Sequence, residues 1–111
     1  MSHLAWNLIL VWALAAFFTF AAVINILAPG PIAGEYQRWG YPDWFHFVTG
    51  ALEMATAVLL ALTATRLSGA ALGGTVMLAA VATVIVHREY KRAVPPVTVL
   101  ILLGVVAWTA L

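Results

Sequence analysis

Four long apolar stretches, separated by shorter polar ones, dominate the pattern of the chain. They cover residues 4–27, 44–62, 69–86 and 95–111. Each is close to the roughly 20 residues that an α-helix needs to cross the hydrocarbon core of a bilayer. The pattern therefore predicts an all-α fold, a transmembrane four-helix up-down bundle that forms a single membrane domain over residues 1–111.

The connections between these stretches differ in length. Residues 28–43 form the longest one, in which the prolines and the glycine at 29–31 cannot continue a helix. Residues 32–39 within it predict a short amphipathic segment at the membrane surface. The connections at 63–68 and 87–94 are short, so the helices that they join must run antiparallel.

Local signals mark where three of the helices begin. Asp43 precedes the second apolar stretch and Ser68 precedes the third, and both residue types are common N-caps. Pro95 and Pro96 open the fourth stretch, where proline is tolerated in the first turn of a helix.

The composition agrees with a membrane environment and excludes several soluble classes. Hydrophobic residues make up 65% of the chain and charged residues 8%, whereas soluble proteins carry roughly 25% charged residues. A globule of 111 residues has too much surface to hide so many apolar side chains from water. The net charge of +1 provides no basic face for nucleic acid, and the absence of cysteine excludes disulfides and thiolate metal sites. We therefore expect the lipid bilayer to be the main partner of the chain.

The few cations predict how the bundle is oriented. Arg38, Arg88, Lys91 and Arg92 lie in the first and third connections, which share one end of an up-down bundle, and Arg66 lies at the opposite end. Because cytoplasmic connections are enriched in lysine and arginine, we expect the first and third connections in the cytoplasm and both termini outside it. Aromatic residues that anchor helices at the headgroups gather near the same cations: Tyr36, Trp39, Tyr41, Trp44 and Tyr90.

Glu53 is the most unusual residue of the apolar stretches. It lies ten residues after Asp43, which places it roughly 15 Å along the second helix, near the bilayer centre. An acid at that depth costs about 2.5–3.5 kcal/mol on insertion scales. Two interpretations stay open, a structural role as a protonated hydrogen-bond donor and a role as a ligand or proton site, and we favour the second.

Further polar side chains are expected to converge above Glu53, toward the basic end. His46 and Thr49 lie on or beside its face of the second helix, while the others come from the ends of the first and third helices. The pattern predicts a polar cavity that opens toward the basic end, with Glu53 at its floor. The candidate ligand-binding residues are Glu53, His46, His87, Asn25, Thr49 and Thr83, and the candidates for a catalytic role are Glu53 and His87.

Simpler roles for the same residues stay open. Uncharged amides and hydroxyls inside a bundle commonly form hydrogen bonds that contribute only about 0.6 kcal/mol each. His87 is compatible with a solvated position beside Arg88. His46 and Glu53 are two helical turns apart, roughly 10 Å along the axis, so we expect no shared metal ion.

Small residues open the third helix. Gly69 and Gly73 are four residues apart, and Ala70 and Gly74 repeat the spacing. This spacing lets two helix backbones approach closely. We favour packing inside the bundle, and a homodimer face stays the alternative.

Several short motifs follow one another along the chain. They are Gly40-Tyr41-Pro42, Gly50-Ala51-Leu52-Glu53, Arg66, and Met77-Leu78-Ala79-Ala80 leading to His87. In order and spacing they resemble the DoxX-like family of small membrane proteins. In that family a G-x-P turn precedes a G-x-x-E helix, an arginine precedes the third helix, and a Met-Leu-x-Ala pattern leads to a histidine. The resemblance covers residues 14 to 105.

The resemblance implies a four-helix bundle in the bacterial inner membrane, with Glu53 and His87 at polar core positions of the family. Where many relatives carry a lysine near the end of the first helix, this chain has Asn25. A cation to pair with Glu53 is therefore absent, which favours a neutral, protonated acid. The name-giving members of the family resemble a subunit of a thiosulfate:quinone oxidoreductase. Distant eukaryotic relatives act as assembly chaperones, and still more distant ones act as sterol isomerases and lipophile-binding proteins.

Three functions from different classes remain. We favour a module without catalytic activity of its own that binds an apolar small molecule or a partner protein in the cavity around Glu53. The first alternative is a membrane subunit of a quinone-linked oxidoreductase, which requires a membrane or soluble oxidoreductase partner. The second is an acid–base isomerase acting on a lipid, in which Glu53 and a histidine exchange the proton. We expect no cofactor other than a quinone or lipid ligand, and no metal.

Overall fold

The computed structural model describes residues 3–110, with side chains from residue 5 onward. No strand occurs in this range, and two short 3₁₀ helices, Thr63–Thr65 and Tyr90–Ala93, lead into the last two helices. The predicted all-α bundle is confirmed, and the predicted amphipathic segment of the first connection is α2. The five α-helices are α1 (His3–Leu27), α2 (Gly30–Arg38), α3 (Phe45–Ala61), α4 (Arg66–Val86) and α5 (Val94–Ala110).

Three helical segments are long and apolar enough to cross a membrane: Ala5–Leu27, Thr63–Val86 and Tyr90–Ala110. The fourth helix of the bundle, α3, is also apolar but has 17 residues. At about 1.5 Å per residue it is roughly 25 Å long, slightly less than a typical hydrocarbon core. The chain has the helices of an integral membrane protein.

Both predicted N-caps are wrong. α3 begins after Trp44, one residue beyond Asp43, and no side chain caps it. α4 begins at Arg66, so Ser68 lies in its first turn and Thr65 occupies the N-cap position. The earlier start has a physical reason, because Arg66 Nε donates to a carbonyl oxygen in the last turn of α3 at 2.9 Å. Carbonyl groups at the end of a helix lack partners within it, and the guanidinium supplies one.

Two contacts define the two ends of the bundle. At one end Thr109 donates to the side chain of Asn7 at 2.8 Å, which joins the end of α5 to the start of α1. At the other end Arg38 Nη2 lies 2.7 Å from Glu89 Oε1, which joins α2 to the connection before α5. The first and third connections therefore meet at one end, as the up-down arrangement predicts.

The apolar core occupies the half of the bundle nearer the α3–α4 turn. Phe18 of α1 and Leu60 of α3 are fully buried there. Because every one of the four long helices contributes to it, this core fixes their mutual positions. Its other buried members include Val11, Leu14, Ala57, Ala70, Met77, Val99, Leu103 and Val106.

The glycines at the start of α4 pack against α3. A Cβ added at Gly73 would lie 2.8 Å from Thr56 Cγ2, and one added at Gly69 would lie 2.8 Å from the backbone nitrogen of Leu60. Real Cβ atoms do not come this close to a neighbour, so only glycine permits this spacing between the two helices. The motif is used inside the bundle, which is the interpretation that the sequence favoured.

Candidate functional site

A cavity of about 530 Å³ lies in the other half of the bundle, nearer α2. α1, α3 and α4 form its walls, while α2 and the first turn of α5 lie across its end. Its lining is mainly apolar and aromatic. The members of that part of the lining are Phe17, Phe20, Ala21, Ile24, Ile32, Phe45, Val48, Leu52, Val76, Met77, Ala79, Ala80, Val84, Pro95 and Pro96.

The six candidate residues divide into two groups. His46 and His87 are not among the residues that line the cavity. The remaining four do line it, although they come from three different helices and are separated by up to 58 positions in sequence (83 − 25). These four are Asn25, Thr49, Glu53 and Thr83.

Both histidines bind backbone carbonyls instead. His46 Nδ1 donates to the carbonyl of Asn25 at 2.8 Å, which ties α3 to the end of α1. A carbonyl can only accept, so Nδ1 carries the hydrogen. His87 is exposed, donates to the carbonyl of Thr83 at 2.8 Å, and has its ring centroid 6.4 Å from that of Trp39. The acid–base pair of Glu53 and His87 that the sequence suggested is therefore not assembled around this cavity.

Glu53 is the ninth of the 17 residues of α3 and is 4% exposed. Its Oε1 accepts a hydrogen bond from Asn25 Nδ2 at 2.6 Å. Among the described residues no donor binds Oε2. Every buried side-chain polar atom in the described structure has a hydrogen-bond partner, so Oε2, which has none, is not fully buried. Oε2 is therefore the oxygen that reaches the cavity, and it is available to a bound molecule.

Asn25 holds Glu53 in place through a short chain of hydrogen bonds. Its Nδ2 also donates to the carbonyl of Ala21 at 3.0 Å, and since that carbonyl can only accept, the orientation of the amide is fixed. The Oδ1 of Asn25 consequently accepts, and the Tyr36 hydroxyl donates to it at 2.6 Å. Burial raises the pKa of Tyr36, so this hydroxyl stays protonated at neutral pH and remains a donor.

A second polar pair lies on the α4 side of the cavity. The Thr83 hydroxyl donates to the carbonyl of Ala79 at 2.9 Å, and it lies 2.6 Å from the Tyr41 hydroxyl. Because Thr83 has a single hydroxyl hydrogen, Tyr41 is the donor between the two. On the α3 side, Thr49 donates to the carbonyl of Phe45 at 3.3 Å. These hydroxyls are satisfied by the protein itself.

Sequence reasoning missed the contribution of α2. Tyr36 and Trp39 were assigned to an interfacial belt, whereas four residues of α2 line the cavity, namely Ile32, Glu35, Tyr36 and Trp39. Their spacing of three, one and three is that of a single helical face. That pattern is visible in the sequence and is the signal that would have placed α2 over the cavity.

A cluster of charged side chains joins α2 to the connection before α5. Glu89 accepts from Arg38 Nη2 at 2.7 Å, from Trp39 Nε1 at 2.7 Å and from Arg92 Nη1 at 3.1 Å. Arg92 also forms an ion pair with Glu35, and both of these residues line the cavity. We call these five residues the latch, because they fasten α2 across the end of the cavity.

The end of α4 positions Glu89 for this role. Arg88 adopts a left-handed conformation with φ 59°, and the amide of Glu89 donates to the carbonyl of Val84 at 2.7 Å. The amide of Arg88 donates to the carbonyl of Ile85 at 3.0 Å. This pair of bonds is the Schellman motif, in which glycine usually occupies the position of Arg88. The reversal that follows turns the Glu89 carboxylate toward α2.

The chemistry that this arrangement supports is binding of a largely apolar molecule with one polar group. Within residues 3–110 no three His, Cys, Asp or Glu side chains are grouped where they could hold a metal ion. In the interior of the cavity, Glu53 is the one acid on the helices that form the walls. Glu35 lies on α2, at the covered end of the cavity, and forms an ion pair with Arg92.

Comparison with known proteins identifies the chain at the level of its family. The model of the DoxX-like family matches residues 9–106, which is most of the chain. No curated protein and no solved structure matches the chain significantly. The matched range contains α3 and α4 in full, most of α1 and α5, and every residue that lines the cavity. The chain belongs to the DoxX-like family.

Proposed function

We propose that this protein binds an apolar small molecule in the cavity between α1, α3 and α4, with the polar group of the ligand against Glu53. The observation that carries the proposal is the free Oε2 of Glu53 at the wall of a mainly apolar cavity. The volume of about 530 Å³ lies within the range of small-molecule sites, roughly 300–1,000 Å³. A few convergent polar groups in an apolar pocket are typical of such sites.

A small molecule fits this site better than a helix of a partner protein does. A partner helix needs an open groove, whereas the latch holds α2 across the end of this cavity. Phe17 and Phe20 line the cavity and are also exposed on the surface of α1, Phe20 at 69%. This supports entry of the ligand from the lipid, past α1, without movement of α2.

Binding without catalysis is the form of this proposal that the contacts favour. An acid–base isomerase needs a second proton-transfer group within hydrogen-bond reach of the substrate, and both histidines lie outside the cavity lining. A quinone is one apolar ligand of suitable chemistry, because its carbonyl oxygens accept hydrogen bonds. The role of subunit in a quinone-linked oxidoreductase would then depend on a partner that carries the redox centre.

The proposal is tested by filling the cavity. Ala80 of α4 lines it, whereas Ala82, two residues further along the same helix, is exposed and does not. Native mass spectrometry of protein extracted in mild detergent should detect a retained lipophilic molecule on the wild type and on Ala82→Phe. Ala80→Phe should lose it. Equal retention by both variants would place the ligand elsewhere and contradict the proposal.

We also propose that the protein resides in the bacterial inner membrane with the latch end in the cytoplasm. Support comes from Arg38, Arg88, Lys91 and Arg92, which lie at this end, against Arg66 at the other. Lys91 is exposed, so Lys91→Cys is expected to react with a membrane-impermeant maleimide only from the cytoplasmic side. Thr63→Cys in the opposite turn, also exposed, is the matched control and should react only from outside. The reverse labelling pattern would invert the topology.

A further inference from the structure

We propose that the ligand of this cavity is a lipophilic amine, held as an ammonium ion against the Glu53 carboxylate. The inference rests on the proposed function and names the chemical class that the cavity takes. Three observations support it: the balance of hydrogen-bond donors and acceptors, the aromatic lining, and the lack of a cation to neutralise Glu53.

The interior of the cavity has no spare donors on its uncharged side chains. Each hydroxyl, amide and indole donor among the described lining residues has an acceptor within the protein. Asn25 uses one Nδ2 hydrogen on a carbonyl and the other on Glu53, and Tyr36 and Tyr41 use their hydroxyl hydrogens on side chains. The side chains with donors used in this way are Asn25, Tyr36, Trp39, Tyr41, Thr49 and Thr83.

Acceptors, by contrast, are in surplus. Oε2 of Glu53 accepts no hydrogen bond from the described residues. The hydroxyls of Tyr36 and Thr49 interact with each other, so the free acceptor capacity of the interior lies mainly on the Glu53 carboxyl group, whose Oε1 accepts one bond. A ligand that only accepts hydrogen bonds would therefore depend on a single hydrogen, the one on Glu53 in its neutral form. A ligand that donates is matched by both oxygens of the Glu53 carboxyl group.

Aromatic rings make up much of the wall. Six of them line the cavity: Phe17, Phe20, Tyr36, Trp39, Tyr41 and Phe45. The face of an aromatic ring carries a negative potential that attracts ammonium groups, most strongly where water is excluded. A cavity with a carboxyl group and several such faces has the features that recognise an alkylated ammonium ion.

Glu53 has no cationic partner of its own in the described structure. The cation among the lining residues is Arg92, which lies at the end covered by α2 and forms ion pairs with Glu35 and Glu89. A neutral amine entering from the lipid can take the proton of the neutral acid, so that the O–H bond of Glu53 breaks as an N–H bond forms. Total charge in the cavity stays zero, and the product is an ion pair with a charge-assisted hydrogen bond.

The experiment compares two probes of equal chain length in phosphatidylcholine nanodiscs. N,N-dimethyldodecylamine is basic and donates once protonated, whereas N,N-dimethyldodecanamide is neutral and only accepts. Binding is read by isothermal titration calorimetry, which needs no reporter residue in the cavity lining. We expect the wild type to bind the amine about tenfold more tightly than the amide.

Glu53→Gln should bring the two affinities within about twofold of each other by weakening the amine alone. Asp43→Asn removes an exposed carboxyl that does not line the cavity, and it should leave the preference unchanged. The inference is overturned if the wild type binds the amide as tightly as the amine, or if Glu53→Gln keeps the preference. In both cases the proposed binding of apolar molecules survives, whereas binding of neither probe by the wild type would count against both proposals.

Discussion

In the half of the bundle nearer the α3–α4 turn, Phe18 and Leu60 pack without any exposed surface. In the half nearer α2, the same helices enclose about 530 Å³ around Glu53. The first half buries mainly apolar side chains, with Thr56 as a buried polar one, and the second carries the chain of hydrogen bonds through Asn25. The comparison teaches that a bundle of 111 residues can pack an apolar core at one end and leave a cavity with a buried acid at the other.

The positions of the glycines explain the difference. Gly69 and Gly73 bring α4 against α3 at the turn end, and beyond Gly74 the helix has no further glycine. Gly50, nearer α2, lets α3 approach α1 instead, since a Cβ added there would lie 3.0 Å from the carbonyl oxygen of Ala22. At the α2 end, α3 is therefore closely packed on α1 but not on α4. The space that remains between α4 and the α1–α3 pair is the cavity.

The largest effect is expected in the half nearer the α3–α4 turn. Phe18→Ala removes a fully buried ring from the apolar core. We expect the free energy of unfolding to fall by roughly 3 kcal/mol. Reversible unfolding in mixed micelles, followed by circular dichroism, measures the change.

Phe20→Ala is the matched control for this prediction. The two phenylalanines are two residues apart on α1, but Phe20 is 69% exposed and lines the cavity. Its replacement should change the free energy of unfolding by less than about 0.5 kcal/mol. Equal losses for the two variants would mean that both halves are packed alike, and the comparison would fail.

A smaller effect is expected in the polar half. Glu53→Ala removes the acceptor of one Asn25 hydrogen and enlarges the cavity. We expect the free energy of unfolding to fall by about 1 kcal/mol, because an amide hydrogen loses its partner in an apolar environment. The same unfolding measurement applies.

Glu53→Gln removes the titratable acid but keeps the hydrogen bond with Asn25. Glutamine keeps an oxygen that accepts from Asn25, so its stability should stay within about 0.5 kcal/mol of the wild type. Thr49→Val, which removes a hydroxyl bonded only to its own helix, should also be close to neutral. If Glu53→Gln lost as much stability as Phe18→Ala, Glu53 would be a packing element of the bundle, and the division of labour between the halves would be wrong.

Most of the fold could be predicted from the chain because hydrophobic length is a local property. The apolar stretches correspond to α1, α3, α4 and α5, and the amphipathic segment corresponds to α2. The N-caps could not be predicted in the same way. Arg66 starts α4 early by binding a carbonyl of α3, and this contact exists only once the turn has formed.

The sequence indicated the centre of the candidate site but not all of the residues that line it. Glu53 stands out because an acid is expensive at that depth, and Asn25, Thr49 and Thr83 lie on helix faces that the helical period brings toward it. The two histidines lie outside the cavity lining, and their ring nitrogens bind nearby backbone carbonyls. Helical periodicity gives the face of the helix on which a side chain lies, but not the atoms that the side chain contacts there.

The sequence by itself determined the number of long helices, their antiparallel order and the presence of an acid in the middle of one of them. These properties depend on residues that are close in sequence, and on the free energy of placing each side chain in lipid. Only the tertiary structure decided which oxygen of Glu53 faces the cavity, that Tyr36 supports Asn25, and that Glu89 fastens α2 over the site. Those contacts join residues that lie 11 to 51 positions apart, so they form only once the helices have packed against one another.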